Sequence, residues 1–258
     1  MRTITRILAF GLVGAVVACS SDSGGTGPSG LSPSTTYKGI VTSSNGTTAG
    51  LTLTFASAVA SPPAPMPSPP LAGPVDVTGT ATLPGGGTVA LTGTLDNGTL
   101  TMTGGGYTLT GTLTNGKFEG TFTGPGGATG AFAAMSSTDV TPAYAYCGTY
   151  HEVITPGGAE ENGSFNAVVA GTYLTGQSVQ SGGLNDVVTL DGTASPGSGG
   201  ATNISIHSSG AQGTINASGT ITADHATLTG TYTASVVGEN ATANGTFSGT
   251  LCPGTTGG

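Results

Sequence analysis

Side chains that could carry out acid–base chemistry are few in this chain. Its 258 residues include 12 Asp and Glu, 4 Lys and Arg, and 3 His. The most suggestive spacing is the pair His151 and Glu152, followed by Glu160 and Glu161. A histidine beside a carboxylate could transfer protons in a hydrolase or supply ligands to a metal. Adjacent residues of a β-strand face opposite sides, so we expect a solvated strand end here and no metal site.

The remaining acids and histidines predict no catalytic site. Asp186 and Asp191 are an odd number of residues apart and would face opposite sides of a regular strand. Asp224 and His225 lie in a predicted turn. The sequence contains no Gly-x-Ser-x-Gly, His-Glu-x-x-His or Walker-type motif. We therefore expect a protein that is not an enzyme and that uses no cofactor.

The elements that would position these side chains are predicted by alternation with a period of two. After Tyr37, apolar residues or glycines alternate with residues that are mostly threonine, as in 107–113 and 118–124. This pattern is typical of half-buried antiparallel strands, and Asn-Gly or Gly-rich turns separate the runs. In the first half of the chain the strands are predicted at 37–43, 48–56, 75–83, 88–95, 98–103, 106–114, 117–124 and 128–134.

The two halves of the chain resemble each other. Four short motifs recur in the same order: 37–39 in 146–148, 111–114 in 219–222, 120–123 in 230–233, and 130–132 in 245–247. The fold class predicted is all-β, with two tandem antiparallel up-and-down β-barrel (or β-sandwich) domains of about 100 residues that arose by internal duplication. One continuous structure across both halves is the alternative. The predicted units are a first domain at 37–135, a linker at 136–143, a second domain at 144–252 and a disordered tail at 253–258.

Cys147 and Cys252 are predicted to form a disulfide. They lie on the first and last predicted strands of the second half, so their bridge would join the two strands that meet when a barrel closes. On the chain-entropy model a loop of this length stabilises the fold by about 4–5 kcal/mol. Two free thiols or metal ligands are the alternative, and no histidine lies at ligand spacing.

The N-terminal segment predicts where the protein resides. Arg2 and Arg6 precede the apolar run Ile7 to Val17, which is too short for a membrane-spanning helix and is typical of a signal peptide. The run ends in Val16-Val17-Ala18-Cys19, which resembles the lipobox of bacterial lipoproteins. The resemblance implies cleavage of 1–18 and lipidation of Cys19, and 19–36 reads as a flexible Ser/Gly/Pro tether. An ordinary secretory peptide is the alternative.

The same resemblance implies localisation. Ser20 stands where an aspartate retains enterobacterial lipoproteins in the inner membrane, so we expect the cell outer membrane, on either its periplasmic or its surface face. The lipid on Cys19 would be the contact with the membrane.

Charge narrows the range of partners. After removal of the signal peptide only Lys38 and Lys117 face the 12 acids, which disfavours nucleic acid as a partner. We expect a non-enzymatic cell-envelope lipoprotein that binds a small apolar ligand or a surface protein. A structural or adhesive envelope role is one alternative, and an exported hydrolase using His151 and Glu152 is another. The proline-rich run 61–70 predicts a stiff surface loop or a protruding recognition loop.

Overall fold

The computed structural model describes residues 36–44, 47–55, 74–82, 87–114, 116–138, 141–180, 187–210, 213–236 and 241–255. Cys19, most of the predicted tether, the proline-rich run 61–70 and Asp186 lie outside the described residues. Our predictions for them stay predictions. Within the described ranges the chain is almost entirely β-strand, with two short 3-10 turns at Pro125–Gly127 and Ser198–Gly200.

The first half forms a closed barrel, named barrel 1. Each strand pairs antiparallel with the next, and the last strand pairs with the first. The alternation of apolar residues with threonine places the former inside and the latter outside, as the pleat of a strand requires. The strands are β1 (Thr36–Ser43), β2 (Thr48–Phe55), β3 (Val75–Thr82), β4 (Thr88–Asp96), β5 (Thr99–Gly104), β6 (Tyr107–Thr114), β7 (Lys117–Thr123) and β8 (Thr129–Ser137).

The second half forms another closed barrel, named barrel 2, with the same up-and-down connections. The prediction of two tandem antiparallel barrels is confirmed, and the sandwich alternative is wrong. The strands are β9 (Ala143–Thr155), β10 (Ala159–Ala170), β11 (Tyr173–Gln180), β12 (Val187–Pro196), β13 (Thr202–Gly210), β14 (Gly213–Ile221), β15 (Thr227–Val236) and β16 (Thr242–Leu251).

Two predicted boundaries differ from the structure. β8 continues to Ser137 and β9 begins at Ala143, so both ends of the predicted linker 136–143 belong to strands. The predicted disordered tail 253–258 is wrong for its first three residues. Thr255 is only 1% exposed, and its hydroxyl donates to the carbonyl oxygen of Cys252 at 2.7 Å. Tertiary packing holds this segment in place despite its turn-like composition.

The recurring motifs occupy the same strands in both barrels. Gly111 on the sixth strand of barrel 1 pairs with Gly120 on the seventh, and Gly219 pairs with Gly230 in barrel 2. A Cβ on any of these glycines would lie within 3 Å of an aromatic ring, Phe132 in barrel 1 or Phe247 in barrel 2. Each ring comes from the eighth strand and covers the pair, so the strands can coil tightly without leaving a void.

The barrel interiors are packed with different side chains. Tyr37, Phe55 and Phe118 form an aromatic trio in barrel 1, with ring centroids 4.8–5.3 Å apart. Barrel 2 has mainly aliphatic residues at the corresponding end, among them Val169, Leu228 and Ile221. Burial of these side chains is the main favourable term in forming each barrel.

The two barrels contact each other along a buried seam. Outward-facing residues of β1 and β8 pack there against outward-facing residues of β9 and β10. The apolar residues of the seam are Ile40, Ala133 and Met135 from barrel 1 and Ala143, Ala145, Val168, Ala170 and Cys252 from barrel 2. On the same side Lys117 of barrel 1 lies 2.9 Å from Asp191 of barrel 2 and 2.8 Å from Glu119.

Candidate functional site

The structure does not bring His151 and Glu152 together. His151 is exposed on the outer face of β9, where its Nδ1 lies 3.1 Å from Oδ1 of Asn162. Glu152 points into barrel 2, and its Oε2 accepts a hydrogen bond of 2.7 Å from the hydroxyl of Tyr232. The prediction of opposite faces is therefore correct, and Glu160 lies beyond both on an exposed part of β10.

Asp224 and His225 make contacts that stabilise a turn. Asp224 accepts hydrogen bonds from the hydroxyl of Thr222 and the amide of Ala226, and the bond from Thr222 is the main cause that lowers its pKa. His225 follows in a left-handed conformation and stacks on Tyr144, with ring centroids 4.2 Å apart. These contacts are those of a structured turn.

The ion pairs of Lys117 serve the seam. Burial lowers the pKa of Lys117, but its hydrogen bonds to Glu119 and Asp191 and their charges outweigh burial, so the net pKa lies above its ordinary value. The carboxylate of Glu119 also accepts a hydrogen bond of 3.0 Å from the hydroxyl of Thr175. The group thus joins β7 of barrel 1 to β11 and β12 of barrel 2.

Barrel 1 has an apolar recess at one end, named the calyx. It lies where β1 ends and β2 begins, at the opposite end of the barrel from the aromatic trio. Small inward residues such as Ala49 and Ala81 leave a volume of about 160 Å³ there. The lining residues are Val41, Ser43, Thr47, Ala49, Ala81, Val89, Leu91, Tyr107, Leu109, Phe122 and Ala128.

Barrel 2 carries different chemistry at the corresponding end, named the acidic mouth. Glu152 on β9 lies directly opposite Glu161 on β10, and Tyr150 and Tyr232 line the interior beside them. The two tyrosine rings meet edge to face with centroids 5.9 Å apart. Burial is the main cause that raises the pKa of both tyrosines, and the nearby carboxylates raise it further. The rings themselves occupy this end of the barrel.

Sequence reasoning missed the acidic mouth, although a signal was present. The turn at 156–158 joins β9 to β10 as a hairpin, and the hairpin register places Glu152 opposite Glu161. Side chains directly opposite in an antiparallel pair are the closest cross-strand neighbours. A register count back from Pro156-Gly157-Gly158 would have predicted the pair.

The outer surface of barrel 2 has a broader depression, named the outer groove. It runs across β10, β9, β16 and β15 and has a volume of about 600 Å³. Its outward side chains are mostly hydroxyls, with one amide and one imidazole: Thr149, His151, Asn162, Ser164, Thr229, Thr246 and Ser248.

The structure contains the Cys147–Cys252 disulfide, with Cα atoms 5.0 Å apart. Cys147 lies on β9, but Cys252 follows β16 instead of lying on it, which corrects the predicted place of the second cysteine. Among the described residues, His, Cys, Asp and Glu side chains form no group of three or more that could hold a metal ion. In that same part of the chain no helix has the length and apolar character needed to cross a membrane.

The chain matches no protein-family model and no curated protein. It is similar to solved structures of proteins with different functions. One is a mutant of Transferrin Binding Protein B from Haemophilus parasuis Hp5, with a TM-score of 0.31 and 9% identity over 86% of this chain and 76% of that one. Another is a putative outer membrane protein from Bacteroides fragilis NCTC 9343, with a TM-score of 0.31 and 12% identity over 84% and 97%.

A third similar structure is an enzyme, kievitone hydratase from Nectria haematococca. Its TM-score is 0.23 and its identity 9%, over 87% of this chain and 90% of that one. TM-scores and identities this low assign the chain to no family and carry no argument about its activity.

Proposed function

We propose that this chain is a lipoprotein of the bacterial outer membrane, anchored through Cys19, that has no catalytic activity and binds small apolar molecules in the calyx of barrel 1. The lipobox supports the anchor and the envelope location. The calyx is the observation that carries the binding role, because concave apolar recesses at barrel mouths are preferred ligand sites. The separation of His151 from Glu152 supports the absence of hydrolase chemistry.

The size of the calyx limits what it can hold. At about 160 Å³ it falls below the several hundred Å³ that enclose a whole drug-sized ligand. An apolar cavity of about 150 Å³ in another protein holds benzene or xenon. We therefore propose that the calyx takes a single aromatic ring or the end of an aliphatic chain, and that the remainder of a larger ligand stays outside the barrel.

Xenon tests the calyx directly. Backbone amide resonances of the calyx strands should shift under xenon pressure, because xenon enters dry apolar cavities. Ala81→Phe should fill the recess and abolish the shift. Ala90→Phe is the matched control, since Ala90 lies on the next strand and is exposed on the outer face. A shift that survives Ala81→Phe, or no shift in the original protein, would contradict binding in the calyx.

Native mass spectrometry of the protein extracted from its own host membrane tests the anchor and the ligand together. An acylated peptide that begins at Cys19 supports the anchor, and an unmodified Cys19 refutes it. A reproducible adduct that Ala81→Phe removes supports a natural ligand of the calyx. An adduct that the substitution leaves in place refutes that site, whatever the state of Cys19.

A surface protein bound at the outer groove is the second candidate. The groove is the larger of the two concave sites described here, and its hydroxyl, amide and imidazole groups suit a polar partner. A photo-crosslinking residue at Ser248 in the groove should capture the partner on intact cells. The same residue at Ser205, exposed on β13, is the control. Equal capture from both positions would refute the groove as the binding surface.

A further inference from the structure

The first and last strands of barrel 2 are joined by backbone pairing and by side-chain packing. β16 pairs with β9 along its whole length, from Thr242 opposite Thr155 to Leu251 opposite Tyr146. Phe247 on β16 packs inside the barrel against Phe165, with ring centroids 5.3 Å apart. A continuous ladder and an apolar interior therefore join the first and last strands of this barrel.

The bridge itself lies outside the barrel, in the seam. Cys147 belongs to the outward-facing row of β9 that includes Ala145, and Cys252 is fully buried. Cys252 belongs to the buried cluster that includes Ile40, Ala133 and Met135 of barrel 1, and Cys147 packs against that cluster. The bridge therefore joins two segments of barrel 2 on the surface that faces barrel 1.

The four residues Cys252–Thr255 continue from the bridge onto barrel 1, and we name them the strap. The amide of Cys252 donates to the carbonyl of Ala145 at 2.8 Å, which holds the strap on barrel 2. On the other side, a Cβ added to Gly50 of β2 would meet Cγ2 of Thr255 at 2.5 Å and the carbonyl oxygen of Pro253 at 2.6 Å. A glycine at 50 thus lets the strap lie directly on barrel 1.

The seam and the strap also bury polar side chains. Within the described part of the chain, the buried polar side chains are Thr42, Asn166, Thr175, Gln177 and Thr255, which lie on the strap or on the strands that face the other barrel. Oδ1 of Asn166 and Oε1 of Gln177, on directly opposed residues of β10 and β11, accept no hydrogen bond from any described residue. Water would satisfy both oxygens if the seam opened, which lowers the free energy of separating the barrels.

We infer that the strap, held by the Cys147–Cys252 bridge, fixes the orientation of barrel 2 on barrel 1, and that barrel closure does not depend on the bridge. Without the strap, the barrels are held by the apolar contacts of the seam, the Lys117–Asp191 ion pair and the hydrogen bonds that cross the seam. The barrels then turn relative to each other about the connection between β8 and β9.

Distances between two spin labels test this role in the full chain. Labels attached through an unnatural amino acid at Thr101 of barrel 1 and Ser205 of barrel 2 leave the native cysteines untouched, and both positions are exposed. Gly50→Val should displace the strap and broaden the distance distribution about twofold. Gly87→Val is the matched control, because a Cβ at Gly87 meets no atom within 4 Å. A chain that ends at Cys252 should broaden the distribution as Gly50→Val does.

Hydrogen exchange separates this role from simple destabilisation. In Gly50→Val the bridge and the amide protection of all sixteen strands should persist, so that only the orientation changes. In the double variant Cys147→Ser and Cys252→Ser, β9 and β16 should stay protected although the melting temperature falls, since the unfolded chain gains entropy. A distribution as narrow as the original in Gly50→Val and the shortened chain would overturn the inference. Selective loss of protection in β9 and β16 of the double variant would overturn it as well.

Discussion

The calyx of barrel 1 and the acidic mouth of barrel 2 occupy the same end of the same architecture. Gly39 of β1 and Gly148 of β9 occupy matching positions. Two residues further along each strand, Val41 of barrel 1 corresponds to Tyr150 of barrel 2. Two residues beyond these, Ser43 corresponds to Glu152. Barrel 1 thus has a small apolar side chain and a hydroxyl where barrel 2 has an aromatic ring and a carboxylate, although the order of the strands is the same. The barrel therefore sets positions and the few residues at its end set the chemistry, so the two ends need not bind the same ligand.

What the barrels share lies deeper in the interior. Each has a cross-strand glycine pair covered by a phenylalanine from its eighth strand, Phe132 or Phe247. Phe132 is fully buried and Phe247 is 8% exposed. The shared device and the different ends can be tested separately.

The largest effect should come from removing the shared rings. Phe132→Ala and Phe247→Ala should each lower the free energy of unfolding by about 3–5 kcal/mol, because each leaves a cavity over two glycines. Chemical denaturation followed by hydrogen exchange should assign each loss to the barrel that carries the substitution. Phe→Leu at the same positions is the control and should cost less. Unequal losses of several kcal/mol would show that the two barrels do not rely on this packing alike.

A smaller effect should distinguish the two ends. Tyr232→Phe removes the hydrogen bond to Glu152 and should destabilise barrel 2 by about 1.5–3 kcal/mol, the usual range for a bond to a charged group. Tyr107→Phe in the calyx should cost below about 0.5 kcal/mol, because Tyr107 contacts Phe122 through its ring. Thermal unfolding of both variants is the measurement. An equal loss of stability in the two variants would contradict the chemical difference between the calyx and the acidic mouth.

The smallest effect is a difference in alkaline sensitivity. The pKa values of Tyr150 and Tyr232 are raised by burial first and by the carboxylates of the acidic mouth next, whereas burial alone raises the pKa of Tyr37 in barrel 1. A tyrosine with a raised pKa contributes stability that is complete below its unfolded pKa of about 10 and declines as the pH rises above it. Hydrogen exchange against pH should show barrel 2 loosening before barrel 1 above about pH 10. Loosening of barrel 1 first would contradict this order.

The strands could be predicted from the sequence because period-two alternation and glycine turns act locally. The predicted strands of the first half each overlap β1 to β8, and the ends differ by at most a few residues. Alternation is the same in a sandwich and a barrel, so it does not predict whether the first and last strands pair. It depends on pairing across about 100 residues, which no local pattern records.

The seam could not be predicted for a related reason. Ala133 and Ala145 occupy outward-facing positions in the alternating pattern of their strands. No feature of the neighbouring sequence indicates that the other barrel covers them. The sequence predicts a disordered tail where the strap lies, because Pro253 and Gly254 are typical turn residues. Cys147 and Cys252 are paired as predicted, and their bridge joins β9 to the residue that follows β16, close to the predicted link between the first and last strands. No local pattern indicates that the same bridge is buried against barrel 1.

The pairing of β1 with β8 has a consequence for how the chain folds. Thr36 of β1 is the partner of Ser137 of β8. The ladder that closes barrel 1 therefore cannot form until the last strand of that barrel is available for pairing. Until then β1 presents an open edge to which other chains can add. We therefore expect slow folding, typical of non-local β-topologies, and a need for protection from aggregation while a barrel is still incomplete.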